Sequence, residues 1–168
     1  MGPKLVILCA SFAVLAGCGR DQENASRSKA EIKALFQQWK AAFEAKDVDG
    51  VMRTYAPGAT LVSYDIVPPL QFKGAEAYRK DYTEFFAQFA GPLHVEFPDM
   101  HIEAGGNLGF AYGLERLTGK AANGTPINMW VRYTEGLKRI DGQWRVVHEH
   151  VSVPIDMATR KARLDLVP

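Results

Sequence analysis

Asp141-Gly142-Gln143-Trp144-Arg145-Val146-Val147-His148-Glu149-His150-Val151-Ser152-Val153-Pro154 is the stretch that decides the fold. Asp141-Gly142 reads as a two-residue hairpin turn, since Asp and Gly tolerate the positive φ such a turn needs at its central positions. Ile127 to Ile140 lead into it and Gln143 to Val153 lead out, which predicts two long antiparallel strands. Pro154 has no N–H to give to a ladder and ends the second. In a regular hairpin here residue i opposes residue 283 − i, and opposed side chains share a face. Tyr133, Glu135, His148, His150 and Ser152 then lie on one face. Trp130, Arg132, Thr134, Glu149 and Val151 lie on the other.

Upstream, the same period of two recurs. Leu93, Val95 and Phe97 alternate, then Met100, Ile102 and Ala104, with Pro98-Asp99 as a bulge between them. Gly105-Gly106-Asn107 turns the chain into Leu108, Phe110, Tyr112 and Leu114, and Asn123-Gly124 turns it again. Nearer the N-terminus the period is helical. Ser28 and Glu31 form a capping box before Ile32, Leu35, Phe36, Trp39 and Phe43, which predicts a helix over about 29–45. Asp47 caps a short second helix that Pro57-Gly58 stops. Tyr78, Tyr82, Phe85, Phe86 and Phe89 mark a third, after a short strand at 60–63 and a Pro-rich loop over 64–73. Helices followed by a long meander predict an α+β fold. The expected architecture is a cone-shaped, curved antiparallel sheet packed on three N-terminal helices. Tyr78, Tyr82, Phe85 and Phe86 line its hollow end or fill it as core.

These pieces resemble the nuclear transport factor 2-like (cystatin-like) superfamily. More narrowly, the chain is similar to SnoaL-like domains and to the association (hub) domain of calcium/calmodulin-dependent protein kinase II. The matching residues are Phe43-x-x-x-Asp47-x-x-Gly50, Pro98-Asp99-Met100-His101-Ile102 and the 141–154 stretch, and the likeness covers about residues 30–156. The resemblance implies a pocket in the cone and a homodimer formed through the outer face of the sheet. It does not fix an activity, because isomerases, cyclases, dehydratases and members without a known reaction share the fold. The hub pocket is lined by arginines. Aligned without gaps, its three positions fall on Arg116, Glu135 and Val151, so the cluster is not retained unless Arg132 replaces it. Glu135 and Val151 lie on opposite faces of a regular hairpin, which points to a bulge. Arg132, Trp130 and Glu135 are then expected inside, and His150 is left open.

Tyr64-Asp65 is the best acid–base pair, beside the apolar loop. A carboxylate in an apolar cavity has a raised pKa and can shuttle a proton near neutrality. Ketosteroid isomerases combine an aspartate base with a tyrosine and a protonated aspartate. By that resemblance Asp65 is the candidate base and Tyr78, or Tyr82, the donor; the alternative is that Asp65 braces its own turn. Candidate ligand contacts are Tyr64, Tyr82, Phe86, Arg116, Trp130, Arg132, Glu135 and His150. His148 and His150 share a face but have no third ligand at usable spacing, so no metal is expected, nor any other cofactor.

At the N-terminus, Lys4, the apolar run Leu5 to Leu15 and Leu15-Ala16-Gly17-Cys18 resemble a bacterial lipoprotein signal peptide. The run is too short to span a bilayer, which takes roughly 20 residues. The expected division is a signal peptide over 1–17, a lipid on Cys18, a polar tether over 18–27, the domain over 28–156 and a tail over 157–168. Gly19 carries no inner-membrane retention mark, so the periplasmic face of the outer membrane is the expected address. Cleavage leaves 151 of 168 residues with 19 basic and 19 acidic side chains, a balance that gives no reason to expect nucleic acid. With Cys9 removed and Cys18 lipidated, no thiol remains for a disulfide or a nucleophile. Three readings stand open: a non-catalytic module binding a small, partly apolar molecule, an isomerase-, cyclase- or dehydratase-type enzyme with Asp65 as base, and a dimerising envelope domain with a vestigial pocket.

Overall fold

A computed structural model describes residues 13–168, with side chains from residue 22 onward. Residues 1–12 of the expected signal peptide, and the Cys18 side chain, therefore lie outside the described residues. Among those described, no helix is long and apolar enough to cross a membrane.

Helix α1 spans Ala13–Glu44 and starts well before the capping box. Residues 18–27, expected as a tether, are helical: no proline interrupts them, and Arg27 pairs with Glu31 one turn on at 3.1 Å. Ser28 is buried inside the helix rather than at its cap. Glu31 instead accepts from Arg139 (2.5 Å) and from the Trp144 indole (3.1 Å), tying α1 to the sheet. Ile32, Leu35, Phe36 and Phe43 form its buried stripe, each contributing roughly 1.5–3 kcal/mol by leaving water. Asp47 caps α2 (Val48–Met52) by accepting from the Gly50 N–H. Helix α3 covers Ala75–Ala87 and buries Tyr78, Tyr82 and Phe86.

The strands are β1 (Val62–Tyr64), β2 (Phe72–Lys73), β3 (His94–Glu96), β4 (His101–Gly105), β5 (Leu108–Lys120), β6 (Pro126–Ile140) and β7 (Gln143–Ser152). They form one curved, unclosed sheet in the order β2-β1-β7-β6-β5-β3, with β4 also on β5. The sheet is antiparallel except that β1 runs parallel to β7, because the chain crosses from one sheet edge to the other through α3. Pro98-Asp99 separates β3 from β4, and Asp99 accepts from the Leu114 N–H at 2.7 Å. A small hairpin, β8 (Ile155–Asp156) with β9 (Lys161–Ala162), pairs the end of the expected domain with the expected tail.

One irregularity fixes which side chains face the helices. From Ile140↔Gln143 to Leu137↔Val146 the hairpin follows the simple register, and from Gly136↔His148 onward it is shifted by one. Val147 is the extra residue of a β-bulge. Beyond it Glu135 opposes Glu149 and Tyr133 opposes Val151, so Val131, Tyr133, Glu135, Leu137 and Glu149 all point inward. On β5 the inward set is small: a Cβ on Gly109 would meet Ile32 Cδ1 at 2.7 Å, and one on Gly113 would meet the Tyr133 hydroxyl at 3.1 Å. Sheet and α1 approach closely at Gly109 because that side chain is missing.

Candidate functional site

Between α1, α3 and the inner sheet face lies a cavity of about 350 Å3. It opens where its lining residues are exposed, at Val67 and Pro68 after β1 and at Glu84 and Gln88 at the C-terminal end of α3. Its walls are Trp39, Phe43, Tyr82 and Phe85 on the helices and Met129, Val131 and Val151 on the sheet. The inner end continues past Trp39, Glu115 and Glu149 into a narrow recess of about 20 Å3 beside Phe36, Phe97, Tyr133 and Glu135. That is the space of one water.

Four carboxyls from four segments converge on this cone: Asp65 after β1, Glu115 on β5, Glu135 on β6 and Glu149 on β7. The register makes Glu135 and Glu149 a directly opposed cross-strand pair, where two ionised groups would repel. The Tyr78 hydroxyl lies 2.8 Å from Glu149 Oε1 and 3.2 Å from Asp65 Oδ2. A hydroxyl carries one proton, so it donates to only one of them, and the second contact requires a protonated carboxyl. Tyr55 and Tyr82 share a hydrogen bond of 2.8 Å, and the Trp39 indole donates to Tyr82 at 3.3 Å. Glu135 Oε2, Glu149 Oε2 and the Tyr133 hydroxyl are buried without a partner. Buried groups of this kind cost free energy and call for an explanation.

No Lys, Arg or His side chain lines either part of the cone, and the titration of the acids follows from that. Burial, then the nearby Asp65 charge, pushes Glu149 up to about 8 against the opposing Tyr hydrogen bonds. Burial and Asp65 likewise push Glu115 up to about 8. Glu135 rises through burial and then through Glu149. Asp65 rises through burial, partly offset by the Ile66 N–H and the Tyr78 hydroxyl. Asp81, at the mouth, rises to about 6 through burial and then Asp65. The floor of the cone is therefore an array of largely protonated acids, able to donate, accept or give up a proton near neutral pH.

Of the sequence-derived candidates, Asp65, Tyr78, Tyr82 and Glu135 lie together on this cone. The others do not. Tyr64 and His150 sit in register on the outer face, edge-on with centroids 5.9 Å apart. Arg132, expected inside, is exposed and opposite Ser152, because β6 alternates without a break, its odd residues Val131 to Leu137 facing inward and its even ones outward. Trp130 lies outside for the same parity, with Arg116 stacked over it at 5.7 Å. Arg116 also pairs with Glu96 (3.3 Å) and Asn128 (3.0 Å) rather than reaching the cone. Phe86 is core, edge-on to Phe43 at 5.2 Å.

Sequence reasoning missed Glu115, Glu149, Tyr55, Tyr133 and Trp39 as pocket residues. Glu115 carried a faint signal: it continues the inward series Gly109, Ala111, Gly113 on β5. Glu149 was masked by neighbouring histidines and by the one-residue shift.

The SnoaL-like domain profile matches residues 32–156. Comparison with curated proteins finds no match. Among solved structures, a nuclear transport factor 2-like protein of unknown function from Pseudomonas putida is 33% identical. The match covers 86% of this chain and 99% of that one, with a TM-score of 0.78. A candidate calcium/calmodulin-dependent protein kinase II association domain from Xanthomonas campestris shares the fold at 20% identity, covering 81% of this chain and 88% of that one, with a TM-score of 0.65. A ketosteroid isomerase-like protein from Erwinia carotovora does so at 18%, covering 74% and 94%, with a TM-score of 0.63. The extent of the profile match and the similarity to the Pseudomonas protein agree, and the chain belongs to the SnoaL-like family of nuclear transport factor 2-like proteins.

Proposed function

We propose that this SnoaL-like domain is a binding module of the bacterial cell envelope that holds a small, partly apolar molecule in its cone. One observation carries the reading: a cavity of about 350 Å3, the size of small-molecule sites, ends in unpartnered carboxyl and hydroxyl oxygens. Aromatic walls supply apolar contact and the floor supplies orienting polar groups. A lipid on Cys18 anchors the module, on the periplasmic face of the outer membrane where the cell has one. Two copies pair through the outer sheet face, where Tyr64, His150, Thr134, Tyr112 and His101 form one row across five strands. Native mass spectrometry of the chain purified from its own cells tests the binding role. A retained small molecule that Val151→Trp displaces by filling the cavity from its sheet wall supports it; an empty cone in both chains refutes it.

A second reading, acid–base catalysis, is favoured by the Tyr78 hydroxyl bridging Asp65 and Glu149. Asp65 would take a proton next to a carbonyl while neutral Glu149 and Tyr78 donate to the developing oxyanion. Neighbours of the same fold include a ketosteroid isomerase-like protein. Asp65→Asn should then abolish exchange of α-protons in small cyclic ketones, followed by NMR, with an unchanged melting temperature. Equal exchange by both chains, or none by either, excludes the reading.

A further inference from the structure

We propose that the molecule taken up by the cone is an organic monocation, an ammonium group on an apolar body, with its charged head at the Glu135–Glu149 floor. The inference rests on the reading of the cone as a ligand site and adds the class of ligand. Every ionisable group facing the cone is an acid or a phenol. Asp81 and Glu84 stand at the mouth on α3, Asp65 follows β1, and Glu115, Glu135 and Glu149 come from β5, β6 and β7. The phenols are Tyr55, Tyr78, Tyr82 and Tyr133; α1 contributes Trp39 and no ionisable group. An anion finds no counter-charge here.

A cation finds three things. Glu135 Oε2 and Glu149 Oε2 are buried, unpartnered and adjacent across the strands, so ammonium N–H groups meet two free acceptors. Trp39, Phe43 and Phe85 surround the path inward, with Trp39 stacked on Phe43 at 4.6 Å and Phe85 at 5.6 Å from Phe43, and ring faces attract cations most strongly away from water. The remaining requirement is a negative charge, which the floor generates by losing a proton. Protonated Glu149 or Glu135 releases H+ to solvent as the ammonium arrives, so the charge of the cone is the same before and after. The ion addressed is organic because, among the described residues, no group of three or more His, Cys, Asp or Glu is arranged to hold a metal.

Proton release makes the affinity climb with pH, by about tenfold per unit where one carboxyl is exchanged. Isothermal titration of the purified full-length chain at pH 6, 7 and 8 tests this with three probes on one aromatic body: benzylamine, benzyl alcohol and phenylacetate. Phosphate and MOPS buffers at pH 7, which differ in ionisation enthalpy and carry no primary ammonium, count the protons. Benzylamine should bind at least tenfold more tightly than benzyl alcohol at pH 8, tighten about tenfold from pH 6 to 7 and about fivefold from pH 7 to 8, and release close to one proton at pH 7; phenylacetate should not bind. Glu149→Gln and, separately, Glu135→Gln should each erase most of the amine's advantage, so one well-folded variant suffices. If the alcohol binds as tightly as the amine, if no proton is released, or if both variants keep the full advantage, the cation inference fails and the pocket reading stands. If none of the three probes binds, both fail.

Discussion

Replacing Glu149 by Gln should remove one carboxyl's share of the pH dependence of folding that the array imposes. The glutamine keeps an oxygen to accept from Tyr78, now at 2.8 Å from Glu149, and its amide can donate to the free Glu135 oxygen across the strands. It no longer titrates. In the native chain Glu149 is moved from 4.5 to about 8, so between those values the folded state holds a proton that the unfolded state has lost. Stability from this group is full below about 4.5, falls as pH rises, and is lost above about 8. The slope for one such proton is about 1.4 kcal/mol per pH unit, hence ~4 kcal/mol between pH 5 and 8. Against a total stability of roughly 5–15 kcal/mol, that is large. Glu115 and Glu135 slope the native curve in the same direction, so the informative quantity is the difference between the two proteins. Urea unfolding followed by tryptophan fluorescence at pH 5, 6, 7 and 8 should show Glu149→Gln gaining ~4 kcal/mol on the native chain across the series. A difference that stays constant with pH would refute a neutral, buried Glu149.

Three further outcomes follow from other parts of the molecule. Gly109→Val should lower stability by about 1–3 kcal/mol in thermal or urea melts, since even a Cβ there meets Ile32 at 2.7 Å. On the proposed pairing, Tyr112→Glu, within the outer row, should leave a monomer by light scattering without shifting the circular dichroism of the fold. Cys18→Ser should abolish labelling by radioactive palmitate and move the chain from the membrane fraction to the soluble one.

The fold was legible wherever a periodic signal ran long. Thirteen residues of β5 and fifteen of β6 alternate clearly enough to be read as strands, and Asp141, with φ of 49°, and Gly142, with φ of 78°, form the turn their identities imply. What stayed hidden was shorter or decided by pairing. β2 has two residues, too few for any period, and β1's parallel partner lies more than eighty positions away. The start of α1 misread because Ser28 and Glu31 satisfy the local rule for a cap. Glu31 bonds instead to Arg139 and Trp144, which local spacing does not reveal. On β5 the larger side chains, Leu108, Phe110 and Tyr112, are the exposed ones, so hydrophobic content alone points to the wrong face as core.

The site turned on a single inserted residue. Without the bulge, with Val147 paired to Gly136, the register would place His148 and His150 beside Glu135 and Tyr133 and leave Glu149 facing out, a cone with bases to neutralise its acid. With it, both histidines go to the outer face, where His148 Nδ1 bonds the Val62 carbonyl at 2.9 Å, and two glutamates meet inside with nothing positive between them. A register shift of one exchanges every side chain between faces, and here it exchanges a self-compensated interior for one whose charge must be supplied by a proton or by a guest. The family resemblance explains the cone; the bulge explains why its floor is acidic, neutral at rest and suited to a positive charge.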